Sequence, residues 1–128
     1  MESDEVKLET ALWVYGSEPP VSLRGMVRVW AKGDARSFGR LPFNNPGWCL
    51  GADAQANTVE QGIASILLAL EPVAGDFQFR HESVRAEISC AVYQRSGEST
   101  AEIRLPYQLM ADLSRLRISL DVDIYVVG

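Results

Sequence analysis

Between Ile118 and Val126 every second residue is apolar: Ile118, Leu120, Val122, Ile124 and Val126 alternate with Ser119, Asp121, Asp123 and Tyr125. A repeat of two is the side-chain period of a strand and does not fit a helical stripe. It commits the segment to a sheet with one apolar and one polar face. The rest of the chain must then supply strands to pair with it and a layer to cover its apolar side.

Other segments repeat the pattern. From Val6 to Tyr15, Val6, Leu8, Leu12 and Val14 share one face with Thr10, and Lys7, Glu9, Ala11, Trp13 and Tyr15 share the other. Gly16-Ser17-Glu18-Pro19-Pro20 ends this strand, because proline cannot continue a ladder. Met26–Lys32 is a second expected strand, with Val27, Val29 and Ala31 opposite Arg28, Trp30 and Lys32. Val84–Tyr93 is a third, with Val84, Ala86, Ile88, Cys90 and Val92 on one face. The turn Arg95-Ser96-Gly97-Glu98-Ser99 is expected to lead into Ala101–Leu105 as the return strand of a hairpin. Residues 33–56 read as a long loop carrying Gly33, Gly39, Gly47, Gly51, Pro42 and Pro46, in which Trp48-Cys49-Leu50 could add a short strand. Long loops in small domains are usually functional or hide an element.

Two segments repeat at helical spacing. Val59, Ile63, Ile66, Leu67 and Leu70 form one stripe, with Asn57 as the expected cap, Glu60 returning the bond and Pro72 as the stop. Gly62 weakens this helix, and either a surface position or a close packing contact must make it tolerable. Leu109, Met110, Leu113 and Leu116 form the second stripe, with Pro106 in its first turn. The expected fold is therefore α+β: a two-layer sandwich with a mostly antiparallel sheet of about five to six strands and two amphipathic helices on one face. One domain over residues 1–128 is expected, with residues 1–5 frayed.

Composition narrows the function classes. The chain has 128 residues, 17 acidic and 12 basic, for a net charge of −5. An acidic domain is a poor unaided ligand for a phosphate backbone, so no nucleic-acid partner is expected. No apolar run approaches the roughly 20 residues of a membrane span, and no membrane partner is expected. The start, Met1-Glu2-Ser3-Asp4-Glu5, is acidic where a secretory signal is basic, which points to the cytoplasm. Cys49 and Cys90 are expected as free thiols there. They do not make a zinc set with the single histidine, His81, and no cofactor or metal is expected.

A catalytic set is not evident. The serines lie in no nucleophile-elbow setting, no phosphate-binding glycine loop is present, and His81 reads as a surface residue. Two constellations remain. Asp121 and Asp123, two apart on a strand, point to one sheet face about 7 Å apart, with Tyr125 beyond them and Glu87 and Glu102 as possible neighbours. Such carboxylates read as a solvated face, a cation site, an acid–base pair or a contact for a basic protein. The second constellation is Trp30-Ala31-Lys32-Gly33-Asp34 with Arg36, Phe38, Arg40, Phe43 and Trp48. Aromatics and arginines are enriched at binding hot spots, although Trp30 and Trp48 can also serve as core residues that pin the loop.

Trp30-Ala31-Lys32-Gly33-Asp34 after a proline-containing segment, Trp48 downstream, the helix after Asn57, and Leu120-Asp121-Val122-Asp123-Ile124-Tyr125 together resemble the domain-of-unknown-function 4279 family. The chain departs from that pattern at Pro19-Pro20-Val21-Ser22-Leu23-Arg24-Gly25, where the family has a longer helical turn with a Leu-Gly-x-x-Pro stretch. The resemblance implies a small bacterial cytoplasmic α+β protein and transfers no catalytic residue.

The leading expectation is a non-catalytic protein-binding module, in its specific form an immunity protein that neutralises a basic bacterial toxin by direct binding. Its contact residues would be Trp30, Lys32, Asp34, Arg36, Phe38, Arg40, Asp121, Asp123 and Tyr125. The alternative is a small-ligand-binding domain in which the Gly-rich aromatic loop 33–56 closes over Trp30, Phe38 and Trp48, with Lys32 and Arg36 as polar groups. An enzyme using the carboxylates, or Lys32 with Asp34, is a third and weaker reading.

Overall fold

The alternating segments assemble into one five-stranded sheet in a computed structural model that describes residues 7–35, 43–73, 84–97 and 103–127. The strands are β1 (Lys7–Tyr15), β2 (Arg28–Trp30), β3 (Gly47–Gly51), β4 (Arg85–Arg95) and β5 (Ile118–Val127), and the helices are α1 (Val59–Leu70) and α2 (Tyr107–Arg115). The strand order is β2-β3-β1-β4-β5. The β2–β3, β3–β1 and β1–β4 pairs are antiparallel, and β4–β5 is parallel. The architecture is α+β, with an open mixed sheet.

The helices and the apolar strand faces enclose the core. Leu12 and Val14 from β1, Trp48 from β3, Ile88 and Val92 from β4, and Ile63 and Leu70 from α1 are fully buried. This follows the alternation in β1 and β4 and the α1 stripe. Ile118, at the start of β5, is also buried. The far end of that strand is not: Ile124 and Val126 are 46% and 61% exposed. The reason is length. The helix α2 turns directly into β5 and packs against it, but nine residues of helix reach only about 13 Å. Ten residues of strand reach about 33 Å. The helix therefore covers only the first part of β5.

Four expectations are corrected. First, residues 103–106 form no strand, while Ala101 and Glu102 lie outside the described residues. Instead of a hairpin, the chain crosses over through α2 so that β5 can lie parallel to β4. Parallel neighbours require such a crossover, and β5 offers β4 a far longer ladder than a short run ending at Pro106. Second, β2 is three residues rather than seven, because turns hold both its ends. Met26 N–H donates to Leu23 O, and Ala31 N–H donates to the Asp34 carboxylate at 2.7 Å. Third, the cap of α1 is Thr58 rather than Asn57. The Thr58 hydroxyl accepts from Gln61 N–H at 3.0 Å, and the Gln61 side chain accepts from Asn57 N–H, so the reciprocal arrangement is shifted by one residue. Fourth, Pro106 precedes α2, and its carbonyl accepts from Met110 N–H. The loop 33–56 does hide a strand, β3. The proline-containing segment keeps a single helical turn at Val21–Leu23. The expected frayed end at 1–5 lies outside the described residues.

Gly62 is explained by packing. A Cβ there would stand 2.9 Å from Thr10 Oγ1 and 3.0 Å from Thr10 Cβ, so α1 sits directly on β1 at this point. Alanine has the better helix propensity by up to about 1 kcal/mol. Even so, Gly62→Ala is expected to destabilise the protein by about 1 kcal/mol, because overpacking outweighs the propensity gain. Thr10→Ala should recover part of that loss in a double-mutant cycle read by urea denaturation. A stabilised single variant would contradict this packing.

Candidate functional site

The face of the sheet away from the helices has an unusual composition, and the register explains it. Directly opposed residues share a face. Arg28 pairs with Cys49, Cys49 with Trp13, Trp13 with Glu87, and Glu87 with Ser119. One row along, Trp30, Gly47, Tyr15 and Arg85 are aligned, and on the other side Gly51, Ala11, Ser89 and Asp121. Asp123 follows opposite Ala91, and Tyr125 opposite Tyr93. Small residues thus floor the middle of this face, between aromatic groups at each end.

The β2–β1 half is aromatic and basic. Trp30 stacks on Phe43 with ring centroids 4.3 Å apart, and both Trp13 and Tyr15 lie 5.6 Å from it at a tilt. The Trp30 indole N–H donates to Asn45 O at 2.9 Å. The Arg28 guanidinium sits 5.5 Å from the Trp13 ring and that of Arg85 4.7 Å from Tyr15, both within cation–π range. The β4–β5 half is acidic, with Glu87, Asp121 and Asp123, and ends in the stacked pair Tyr93–Tyr125 at 5.1 Å. The Glu9 carboxylate, ahead of burial and Tyr125, holds the Tyr93 phenol above its ordinary pKa. Asp121 and Asp123 are exposed and form no ion pair among the described residues. Trp13, Tyr15, Arg28, Phe43, Glu87, Asp121, Asp123 and Tyr125 all border one depression of about 240 Å³.

The expected site residues separate as follows. Asp121, Asp123 and Tyr125 stand together on the open face. Trp30 is 6% exposed and anchors the aromatic half from within. Lys32 and Asp34 belong to an exposed turn away from the carboxylates. Asp34 caps that turn through Ala31 N–H, while Gly33 N–H donates to Phe43 O and Phe43 N–H to Asp34 O. These bonds hold together the two ends of the segment 35–42. Arg36, Phe38 and Arg40 lie outside the described residues, as do Glu102 and His81. Trp48 is on the opposite face from Trp30, fully buried against the helices. Trp30 and Trp48 therefore do not line a common pocket: they come from neighbouring strands at positions of opposite parity.

The two cysteines are likewise on opposite faces and are free. Cys49 lies on the open face beneath Arg28 and Trp13. Burial pushes its thiol up, against the pull of the Arg28 charge. Cys90 is in the core, where burial raises its thiol and the hydrogen bond with Thr10 opposes this. Among the described residues no cluster of three or more His, Cys, Asp or Glu is arranged to hold a metal ion. No helix among them is long and apolar enough to cross a membrane.

Sequence reasoning did not name Trp13, Tyr15, Arg28 or Arg85 as site residues, although alternation already placed Trp13 and Tyr15 off the core face. The missing information was strand order. With β1 between β3 and β4, the aromatic and acidic groups become one surface instead of two.

A family model described as a domain of unknown function, DUF4279, matches residues 27–127. No curated protein and no solved structure matches the chain.

Proposed function

Because the chain belongs to the DUF4279 family, whose description names no activity, we propose a function from its own surface: a non-catalytic module that binds a basic region of a partner protein on the open sheet face. In its specific form it is an immunity protein that neutralises a basic bacterial toxin in the cytoplasm by covering it. The observation that carries this reading is the single depression in which an aromatic cluster meets Glu87, Asp121 and Asp123.

That combination suits a lysine- or arginine-bearing surface. The aromatic groups supply rigid contact area of the kind that dominates interface energetics. The carboxylates steer a positively charged partner and reject a negative one. They lie on a long strand paired along its length with β4, so they are presented in a fixed arrangement. Arg28 and Arg85 already rest on Trp13 and Tyr15, which leaves the β4–β5 half as the part that meets the partner's positive charge. Inhibition would come from occlusion and needs no chemistry from the module.

The test is co-expression with the product of the neighbouring gene, followed by co-purification and a protection assay in cells. A stable complex whose association rate falls about tenfold with Asp121→Asn and Asp123→Asn combined, and which weakens as salt is raised, is the expected outcome. No complex, or a complex indifferent to both substitutions and to salt, would overturn the reading.

A further inference from the structure

We infer that β5 is a docking edge: an extended segment of the partner, with basic and apolar residues in alternation, adds to the sheet alongside β5. This rests on the reading above and names the partner's chemistry. The strand lies at the sheet margin, paired on one side with β4. Along its other side, none of its backbone groups is hydrogen-bonded among the described residues.

The two sheet margins differ in a telling way. At one, β2 is only three residues long, and turns close both its ends. Short edges of this kind resist strand addition. At the other, β5 runs for ten residues without proline or lysine, ISLDVDIYVV. Its apolar side is half uncovered, with Ile124 and Val126 exposed beyond the reach of α2. An incoming strand would hydrogen-bond to this outer side of the β5 backbone and cover these side chains in one step.

The charges select the occupant. Paired residues share a face, so residues facing Asp121 and Asp123 must themselves be two apart, on the open side. Residues facing Leu120, Val122 and Ile124 fall on the apolar side. The complement is apolar–basic–apolar–basic–apolar, added antiparallel to β5, the more stable direction of pairing. A second copy of this chain is the wrong partner. The two longest face-matched antiparallel registers of β5 on itself set Asp121 against Asp123, or Asp123 against Asp123. Like charges directly opposite are destabilising. The carboxylates thus disfavour self-pairing and favour a basic strand.

The test uses the full chain and acetylated, amidated peptides of three kinds, read by titration calorimetry and amide chemical shifts. The first is Val-Lys-Val-Lys-Val-Lys-Val. The second has the same composition with its lysines contiguous. The third is the first with alternate backbone nitrogens methylated, prepared in both phases so that one phase blocks the pairing edge. The alternating peptide is expected to bind about tenfold more tightly than the contiguous one, and to lose about tenfold with Asp121→Asn and Asp123→Asn combined. One methylated phase should lose binding while the other keeps it, and shifts should concentrate in residues 118–127. Equal affinity for the alternating and contiguous peptides, indifference to both methylation phases, or no binding of any peptide overturns the edge inference. If carboxylate-dependent binding persists under methylation, basic recognition on the open face stands and only the edge is wrong. If binding is indifferent to both Asp substitutions and the neighbouring gene product is too, the wider reading falls with it.

Discussion

Gly47→Ala is expected to cost about 3 kcal/mol or more, one of the two largest losses predicted here and the larger for a change of one methyl group. A Cβ at this position would clash with the Val14 carbonyl oxygen and stand 2.5 Å from Trp30 Cζ2. The first obstacle is the backbone of the central strand, which cannot retreat without loosening the β1–β3 ladder. The second is an indole held on its other side by Phe43 and by the bond from its N–H to Asn45 O. Overpacking usually costs about 1–3 kcal/mol, and rigid neighbours push the cost to the top of that range or beyond it. The thermal midpoint should fall by roughly 10 °C, at about 3 °C per kcal/mol for a chain of this size. A fall of a degree or two would show that the aromatic cluster is not seated on the strand as described. Because Trp30 closes over Gly47, the same substitution should also disturb Trp13 and Tyr15, visible as a change in near-ultraviolet circular dichroism.

Trp48→Ala is expected to cost about 3–5 kcal/mol, the range for removing a fully buried large aromatic. Trp48 is 0% exposed and lies between the sheet and the helices, one residue along from Gly47 but on the other face. The protein would lose the transfer energy of the indole and gain a cavity that the sheet cannot close. Against a total stability of about 5–15 kcal/mol for a typical domain, much of the folded population is at risk at elevated temperature. Denaturant titration should show a lower midpoint. Trp30→Ala should cost less, since Trp30 ends the three-residue edge strand β2 and faces the open side of the sheet. Equal losses for the two tryptophans would contradict their assignment to different environments.

The contrast between these tryptophans shows how far the sequence could be read. Alternation correctly divided β1 and β4 into inward and outward sets, because side-chain parity is a local property of a strand. It also identified the stripe of α1, and that of α2 except for Met110, which is 49% exposed. It could not tell that Trp30 and Trp48 face opposite ways, because that depends on how β2 and β3 pair. The expected hairpin after β4 failed for a related reason. Ala101–Leu105 has strand-like residues, but its competitor for the edge of β4 was the much longer β5, more than twenty residues away in the chain. Ile124 and Val126 share the apolar-face parity of the buried Ile118. They are exposed because parity gives the face of a residue and says nothing of how far the covering layer extends. The family match begins at residue 27, yet β1 ends before it and lies at the centre of the sheet. The matched region is therefore not a folding unit in itself.

By itself the sequence determined the α+β class, the faces of the main strands, both helices and the outward pair Asp121 and Asp123. All of these follow from periodicity and from residue chemistry within a dozen positions. Only the tertiary structure decided strand order, the parallel seating of β5, and the meeting of the aromatic and acidic groups on one face. Those depend on which distant segments win the competition for a shared edge. That competition is settled by total ladder length and packing, quantities that no local stretch of residues contains.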